Sequence, residues 1–309
     1  MQQIQTLMKI EIEEDFDDIR VDKVLAGYLT ELSRTYIQKL IENGNVTLNQ
    51  KALKANFKVS TGQEIEVLLP EPEILRVEPE NIPLDILYED SDVIVVNKPK
   101  NMVVHPAAGH YSGTLVNALL YHCKDSLSGI NGIMRPGIVH RIDKDTTGAL
   151  VVCKNDTAHQ CLAAQLKEHS ITRRYEASVY HMFKEAEGRV EGPIGRHPTE
   201  RTKMAINHKN GKEAVTNYRV LENLGGKYAH IECRLETGRT HQIRVHMTSL
   251  NHPLLGDTLY GPVKDPFGLQ GQTLHAKVLG FVHPTTREYM EFEAPTPEYF
   301  TKLLLKLRH

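Results

Sequence analysis

Residues 137–152 read Gly137-Ile138-Val139-His140-Arg141-Ile142-Asp143-Lys144-Asp145-Thr146-Thr147-Gly148-Ala149-Leu150-Val151-Val152, a tight polar loop set between two short apolar runs. Apolar runs of four to eight residues, rich in β-branched side chains and bounded by glycine, read as buried strands rather than helices. The same texture extends on both sides. Val93-Ile94-Val95-Val96, Tyr175–Tyr180, Val215–Leu221, His230–Leu235 and Gln242–His246 are further strand-like runs, separated by Gly, Pro and Asn. Helical spacing shows near Thr114–His122, Asp156–His169 and Pro297–Leu307. Asp156 is placed to cap its helix, with Ala158, Leu162 and Leu166 along one face. No fixed repeat is visible. This order predicts an α+β domain over residues 73–309, a large, mostly antiparallel mixed sheet flanked by helices.

Upstream the pattern is different. Val21, Val24, Leu25, Tyr28, Leu29 and Leu32 recur at helical spacing. Ser33 then reads as the cap of a second helix carrying Ile37, Leu40 and Ile41, which Gly44 ends. Short strands follow near Val46–Leu48 and Glu64–Leu69, and Pro70-Glu71-Pro72-Glu73 reads as a linker. Residues 1–72 are therefore expected to form a small α/β domain of helix, helix, strand, strand. Arg20-Val21-Asp22-Lys23-Val24-Leu25, Ser33-Arg34, Ile41, Gly44-Asn45-Val46-Thr47-Leu48-Asn49 and Gly62 make it resemble the RNA-binding module of ribosomal protein S-four, the alpha-L motif. The resemblance implies that the second helix and following turn face RNA, with Arg34 and Lys39 at the matching basic positions. Gln50 and Gln63 stand where that family often has Gly and Asp.

Composition narrows the classes. The chain has 309 residues, 40% hydrophobic and 25% charged, as in ordinary globular proteins. No apolar run approaches the roughly 20 residues that span a bilayer. The acidic amino terminus is unlike a secretory signal, so a cytoplasmic protein is expected. The four cysteines form no Cys-x-x-Cys pair, which argues against both a disulfide framework and a cysteine zinc site. His241 and His246 are five apart and on a strand would point to opposite faces, so a metal there is not expected. Net charge is −2, an unpromising sign for an RNA partner. However, residues 1–18 hold six acids against Lys9, and the remainder has 36 bases against 33 acids. Charge alone does not identify an RNA-binding protein.

Four segments put polar groups into sheet-like surroundings: Asn97–Pro106, Gly137–Gly148, Arg173-Arg174-Tyr175-Glu176-Ala177, and Glu236-Thr237-Gly238-Arg239-Thr240-His241-Gln242-Ile243-Arg244-Val245-His246. Polar loops on a rigid sheet are common places for catalytic groups. Taken singly, each also has a structural reading. Asp143 and Asp145 suit loop capping, Tyr175 a core aromatic, and Arg239 and Arg244 surface charges on an edge strand.

Together the four segments resemble the motifs of the RluA/RluD family of pseudouridine synthases, and the likeness runs through residues 80–309. His140-Arg141-Ile142-Asp143, with Thr146-Thr147-Gly148, is close to the family's His-Arg-Leu-Asp-x-x-Thr-Ser-Gly signature. His105-Pro106-Ala107-Ala108-Gly109 and Arg196-His197-Pro198-Thr199 look like the D-type enzymes of the large ribosomal subunit. Ile142 and Thr147 replace the usual Leu and Ser, and Asn101 stands where Gly is usual; asparagine tolerates left-handed backbone.

The resemblance implies isomerisation of uridine to pseudouridine in RNA, with large-subunit ribosomal RNA as the expected substrate; the oligomeric state is not read from the residues, and a monomer is the default expectation. The reaction gains and loses no atoms and transfers no electrons, so no cofactor and no metal are expected. The family's catalytic carboxylate falls on Asp143. Arg244 is implied as the cation that keeps it charged, and Tyr175 as the ring against the uracil and an acceptor of its carbon-bound proton. Arg141 is expected to hold the displaced strand or a phosphate, and His140 and Arg239 to lie on the RNA side. Two rivals are a metal-dependent nuclease using Asp143 and Asp145, and an RNA-binding or ribosome-assembly protein without catalysis.

Overall fold

The computed structural model describes residues 5–30, 32, 34–70, 77–106, 110–124, 126–132 and 135–309. Contacts divide the chain into two compact units, Met1–Leu75 and Arg76–His309. The linker expected after Pro70, the cap expected at Ser33, and Ala107-Ala108-Gly109 lie outside the described residues.

The first unit contains β1 (Gln5–Glu11), α1 (Val21–Tyr28), α2 (Arg34–Glu42), β2 (Val46–Leu48), β3 (Lys51–Ala52) and β4 (Glu64–Pro70). Its strands pair antiparallel in the order β1-β4-β2-β3. The sequence reading had no strand at β1 and none at β3. At β1 the acidic run beginning at Glu11 conceals an alternation that places Ile10, and Ile12 just beyond the strand, in the core while Lys9 and Glu11 face solvent. The helices bury Val21, Val24, Leu25, Ile37, Leu40 and Ile41, as their spacing predicts. Between β2 and β3 the two-residue turn Asn49-Gln50 has φ of 50° and 64°. Gln50 thus takes the left-handed conformation that glycine favours in such hairpins. Asp22, fully buried, fastens α1 to α2 by accepting hydrogen bonds from Arg20 (3.0 Å), Arg34 (2.8 Å) and Gln38 (2.9 Å).

The second unit follows in the order β5 (Ile86–Glu89), β6 (Val93–Lys98), α3 (Leu115–Cys123), β7 (Thr147–Cys153), α4 (Asp156–Lys167), β8 (Thr172–Tyr180), β9 (Glu187–Glu191), β10 (Ile194–Arg196), β11 (Met204–Ile206), β12 (Val215–Leu224), β13 (Tyr228–Leu235), α5 (Gln242–Ser249), β14 (Leu274–Val282), β15 (Tyr289–Glu293) and α6 (Glu298–Arg308). Among the described residues the main sheet runs β5-β6-β7-β14-β8-β13-β12-β9, with β15 also paired to β14. Its pairs are antiparallel except β7 with β14. The mostly antiparallel α+β architecture is therefore as expected. Both faces of the sheet are covered. Ile94, Val96, Leu150 and Val152 pack with α3, whereas Val93, Val95 and Val151 pack with Ala158 and Leu162 of α4. Burial on two sides explains why β6 and β7 are apolar throughout.

Two local expectations are corrected. Gln242–His246 is the start of helix α5, not a strand. Residues 242–247 are all buried, so apolar and polar side chains alternate without marking two faces. The cap of α4 is Asn155, whose side chain accepts from the Ala158 N–H at 2.9 Å, while Asp156 turns to the Ser128 hydroxyl at 2.6 Å.

Candidate active site

Asp143 lies in the loop that feeds β7, where its carbonyl accepts the Thr146 N–H at 3.1 Å. Two features fix this loop. Gly148 has φ of 110°, and a Cβ there would come within 2.3 Å of the Ala276 carbonyl oxygen, so only glycine lets β7 enter against β14. Lys98, at the end of β6, is fully buried and donates to the carbonyls of Pro99 (2.8 Å), Met102 (2.8 Å) and Lys144 (3.0 Å). Burial pushes its amine down to about 7, while the charges of Asp145 and Asp143 oppose this. Three acceptors match the three hydrogens of an ammonium. Asn101, with φ of 65°, lets residues 99–102 wrap around that group.

The carboxylate of Asp143 accepts from Arg244 Nη1 at 3.0 Å. Arg244 comes from α5 and is itself gripped from the other side. Its Nε and Nη2 donate to Asp257 at 2.6 and 2.9 Å, a bidentate pair almost sealed from solvent. Burial works against the guanidinium charge, but the bonds and charge of Asp257, with Asp143 behind them, hold its pKa above the ordinary arginine value. Asp257 also accepts the N–H groups of Leu259 (3.1 Å) and Tyr260 (3.2 Å). The Tyr260 ring lies 4.9 Å from the guanidinium, and its hydroxyl is 2.8 Å from His241 Nδ1. His241 Nε2 is 3.9 Å from Asp143. Burial lowers the His241 pKa and the Asp143 charge opposes that shift, so the imidazole stands beside the carboxylate mainly as a neutral ring.

These groups open on a cavity of about 370 Å³, within the range of small-ligand sites. Ile142, Tyr175, Leu235 and Leu274 give it apolar wall. Tyr175 is 7% exposed, and burial raises its pKa, with Arg173 opposing and Asp143 adding to the shift. Its hydroxyl is therefore protonated at neutral pH. His140 accepts the Val151 N–H on Nε2 at 3.1 Å. Burial, then Arg173, pushes the imidazole down to about 3, so it is neutral and carries its proton on Nδ1. Arg141 is exposed at the cavity edge, and Arg239 lines it with Nε bound to the Glu213 carbonyl at 2.8 Å.

The structure thus brings together Asp143, Tyr175, Arg244, His140, Arg141 and Arg239. Arg34 and Lys39 belong to the first unit, where Lys39 is exposed and Arg34 is tied to Asp22 with its side chain 48% exposed. His246 hydrogen-bonds Thr216 (2.9 Å) and the Gly192 carbonyl (3.0 Å). Among the described residues, the clusters with metal-ligating spacing are Glu89/His122/Cys123 and Asp90/Asp92/His283, and neither includes Asp143 or Asp145.

Comparison with known proteins places the chain in a family. The RNA pseudouridylate synthase profile matches residues 92–249, which include Asp143, Tyr175 and Arg244, and the S4 domain profile matches residues 19–65. The chain belongs to the RNA pseudouridylate synthase family. The synthase is 53% identical over 289 residues to the Bacillus subtilis protein YlyB, named an uncharacterised RNA pseudouridine synthase, with 94% of each chain covered. It is 48% identical over 309 residues to the ribosomal large subunit pseudouridine synthase D of Zymomonas mobilis, covering 97% of this chain and 96% of that one. Among solved structures, human RNA pseudouridylate synthase domain containing 1 matches with a TM-score of 0.55 and 27% identity, over 77% of this chain and 97% of that one. The synthase is an enzyme of RNA modification with an RNA-binding S4 domain. Sequence reading of it missed Asp257, Lys98, His241 and Tyr260 as parts of the site. Asp257 is 13 residues beyond Arg244, and the connection that brings it back includes left-handed turns at Asn251, with φ of 64°, and Gly256, with φ of 76°.

Proposed function

We propose that the synthase isomerises uridine in large-subunit ribosomal RNA, with Asp143 as the acting carboxylate and without a cofactor. The carrying observation is the chain Asp143–Arg244–Asp257, a carboxylate held by a cation that is anchored before any substrate arrives. The bond from the sugar's anomeric carbon to N1 must break, the base must turn, and the same carbon must bond C5, whose proton leaves as N1 gains one. Asp143 supplies the negative charge at the anomeric carbon. Arg244 keeps it in place, and the Tyr175 ring and neighbouring apolar wall confine an extruded base while it turns. The raised phenol favours the ring-packing part of the Tyr175 role over the proton-accepting part.

The substrate class rests on relatives of Zymomonas mobilis and Haemophilus ducreyi, both named ribosomal large subunit pseudouridine synthase D, at 48% and 44% identity. The S4 unit adds RNA affinity through α2 and the turn after it, where Lys39 is exposed and Arg34 half-exposed. At the cavity edge Arg141 meets the strand from which the base has left. The synthase is proposed to act as a monomer in the cytoplasm; among the described residues no helix is long and apolar enough to cross a membrane. The test is incubation of the purified chain with unmodified large-subunit ribosomal RNA, with and without a chelator, followed by pseudouridine mapping. Pseudouridine at discrete positions in both samples is expected. Absence of pseudouridine, or chelator-sensitive strand cleavage, would overturn the proposal.

A further inference from the structure

Arg173 is a cation that the chemistry above leaves unused. It stands at the start of β8, two residues before Tyr175 and hence on the same face, and is 6% exposed. It lines the same cavity as Asp143. Nη2 donates to the Glu236 carbonyl at 3.1 Å, and Nε is buried with no partner. The Glu236 side chain is engaged elsewhere, by Arg189 and Asn217. Bare backbone passes against the guanidinium at Gly238, where a Cβ would come within 2.5 Å of Arg173 Nη1.

Arg239 lines the cavity too, and its Nε likewise donates to a backbone carbonyl, that of Glu213. Burial depresses Arg173, Tyr175 opposes this, and the like charge of Arg239 depresses it further. Five cationic residues, Arg141, Lys167, Arg173, Arg239 and Arg244, line the cavity with one carboxylate, that of Asp143, which Arg244 already pairs. A buried guanidinium without a counter-ion is costly, and its planar fork matches phosphate oxygens. An extruded nucleotide brings a phosphate on each side of its sugar.

We propose that Arg173 and Arg239 form a phosphate clamp for the extruded nucleotide, receiving a backbone phosphate adjacent to the target uridine. The assignment rests on the RNA-uridine reading above. Uracil carbonyls would be a weaker match, because they are neutral and leave both arginine charges uncompensated.

The test measures binding of the full chain to an unmodified large-subunit ribosomal RNA transcript over a salt series, for wild type, Arg173→Met, Arg239→Met and Arg173→Lys. Each phosphate contact adds roughly 0.7–0.9 to the slope of log affinity against log salt. Both methionine variants should lose slope, by no more than the about 0.7–0.9 of the one shared phosphate, and bind more weakly at low salt, with the difference shrinking as salt rises. Arg173→Lys should recover the slope but not the full affinity, since lysine lacks the fork. Gly238→Ala should weaken binding by evicting the guanidinium while leaving the charge count unchanged. If folded Arg173→Met keeps the wild-type slope and the wild type still forms pseudouridine, the clamp alone is wrong, and Arg173 merely supports Glu236. If the wild type neither binds nor modifies the transcript, the substrate reading fails and takes the clamp with it.

Discussion

Replacing Asp257 by asparagine isolates the anchoring of Arg244 from the chemistry of Asp143. The aspartate accepts two charge-assisted hydrogen bonds from the guanidinium, at 2.6 and 2.9 Å, and two backbone N–H groups, from Leu259 and Tyr260. An asparagine that keeps its oxygen on the backbone donors must turn its amide NH₂ toward Arg244 Nε, donor against donor. At least one charged bond is lost, about 1.5–3 kcal/mol. The thermal midpoint should fall by about 5 °C. Arg244 would then no longer be fixed where Asp143 needs it, and a misplacement of about 1 Å costs roughly 100-fold in rate. Single-turnover pseudouridine formation should therefore slow about 100-fold, while RNA affinity changes less than about two-fold, since Asp257 is 2% exposed and acts only through Arg244. A folded variant with the wild-type single-turnover rate would refute the reasoning, because Arg244 would then need no anchor.

Lys98→Met should destabilise the second unit by about 3 kcal/mol, read by denaturant unfolding, because three buried carbonyls lose their donor at about 1 kcal/mol or more each. A loss under about 1 kcal/mol would mean that water replaces the ammonium. In the first unit, burial works against the Asp22 carboxylate but Arg34, Gln38 and Arg20 outweigh it, holding its pKa down at about 2. A depressed carboxylate contributes stability above its unfolded pKa, near 3.8, and loses it as pH falls toward 2. The half-exposed arginines screen the effect to about 1 kcal/mol. Acid titration of unfolding should show this loss in wild type and not in Asp22→Asn, and equal pH dependence would remove Asp22 as its source. Tyr175→Phe keeps the ring and should keep most turnover, whereas Tyr175→Ala should lose about 100-fold by freeing the base. Equal losses in the two variants would point to the hydroxyl instead.

What was legible in the sequence divides along physical lines. Strands buried on both faces, such as Val93–Val96 and Leu150–Val152, announce themselves because every position must be apolar. Helix α5 does not, because its residues 242–247 are all buried and leave no solvent face to set a 3.6-residue period. Strand β1 was hidden by the acidic run that begins at its last residue, although Ile10, and Ile12 just beyond it, keep the alternation. In the site, Asp143, Tyr175 and Arg244 were named through a motif resemblance, and their meeting is a product of the fold. Lys98 and Arg173 fall in segments that stand out by their polarity, but neither they nor Asp257 carry a local sign of their partners. An aspartate after a glycine, a lysine before a proline and an arginine at a strand start are ordinary neighbours, and only tertiary contact gives them partners or leaves them without one.

The central claim is that Asp143 carries the reaction. The most direct measurement is pseudouridine formation by Asp143→Asn in unmodified large-subunit ribosomal RNA, with binding measured on the same preparation. Arg244 stays held by Asp257 in that variant, so the fold and RNA affinity should be retained. No pseudouridine should form even under single-turnover conditions. Modification at a rate near that of the wild type would contradict the account.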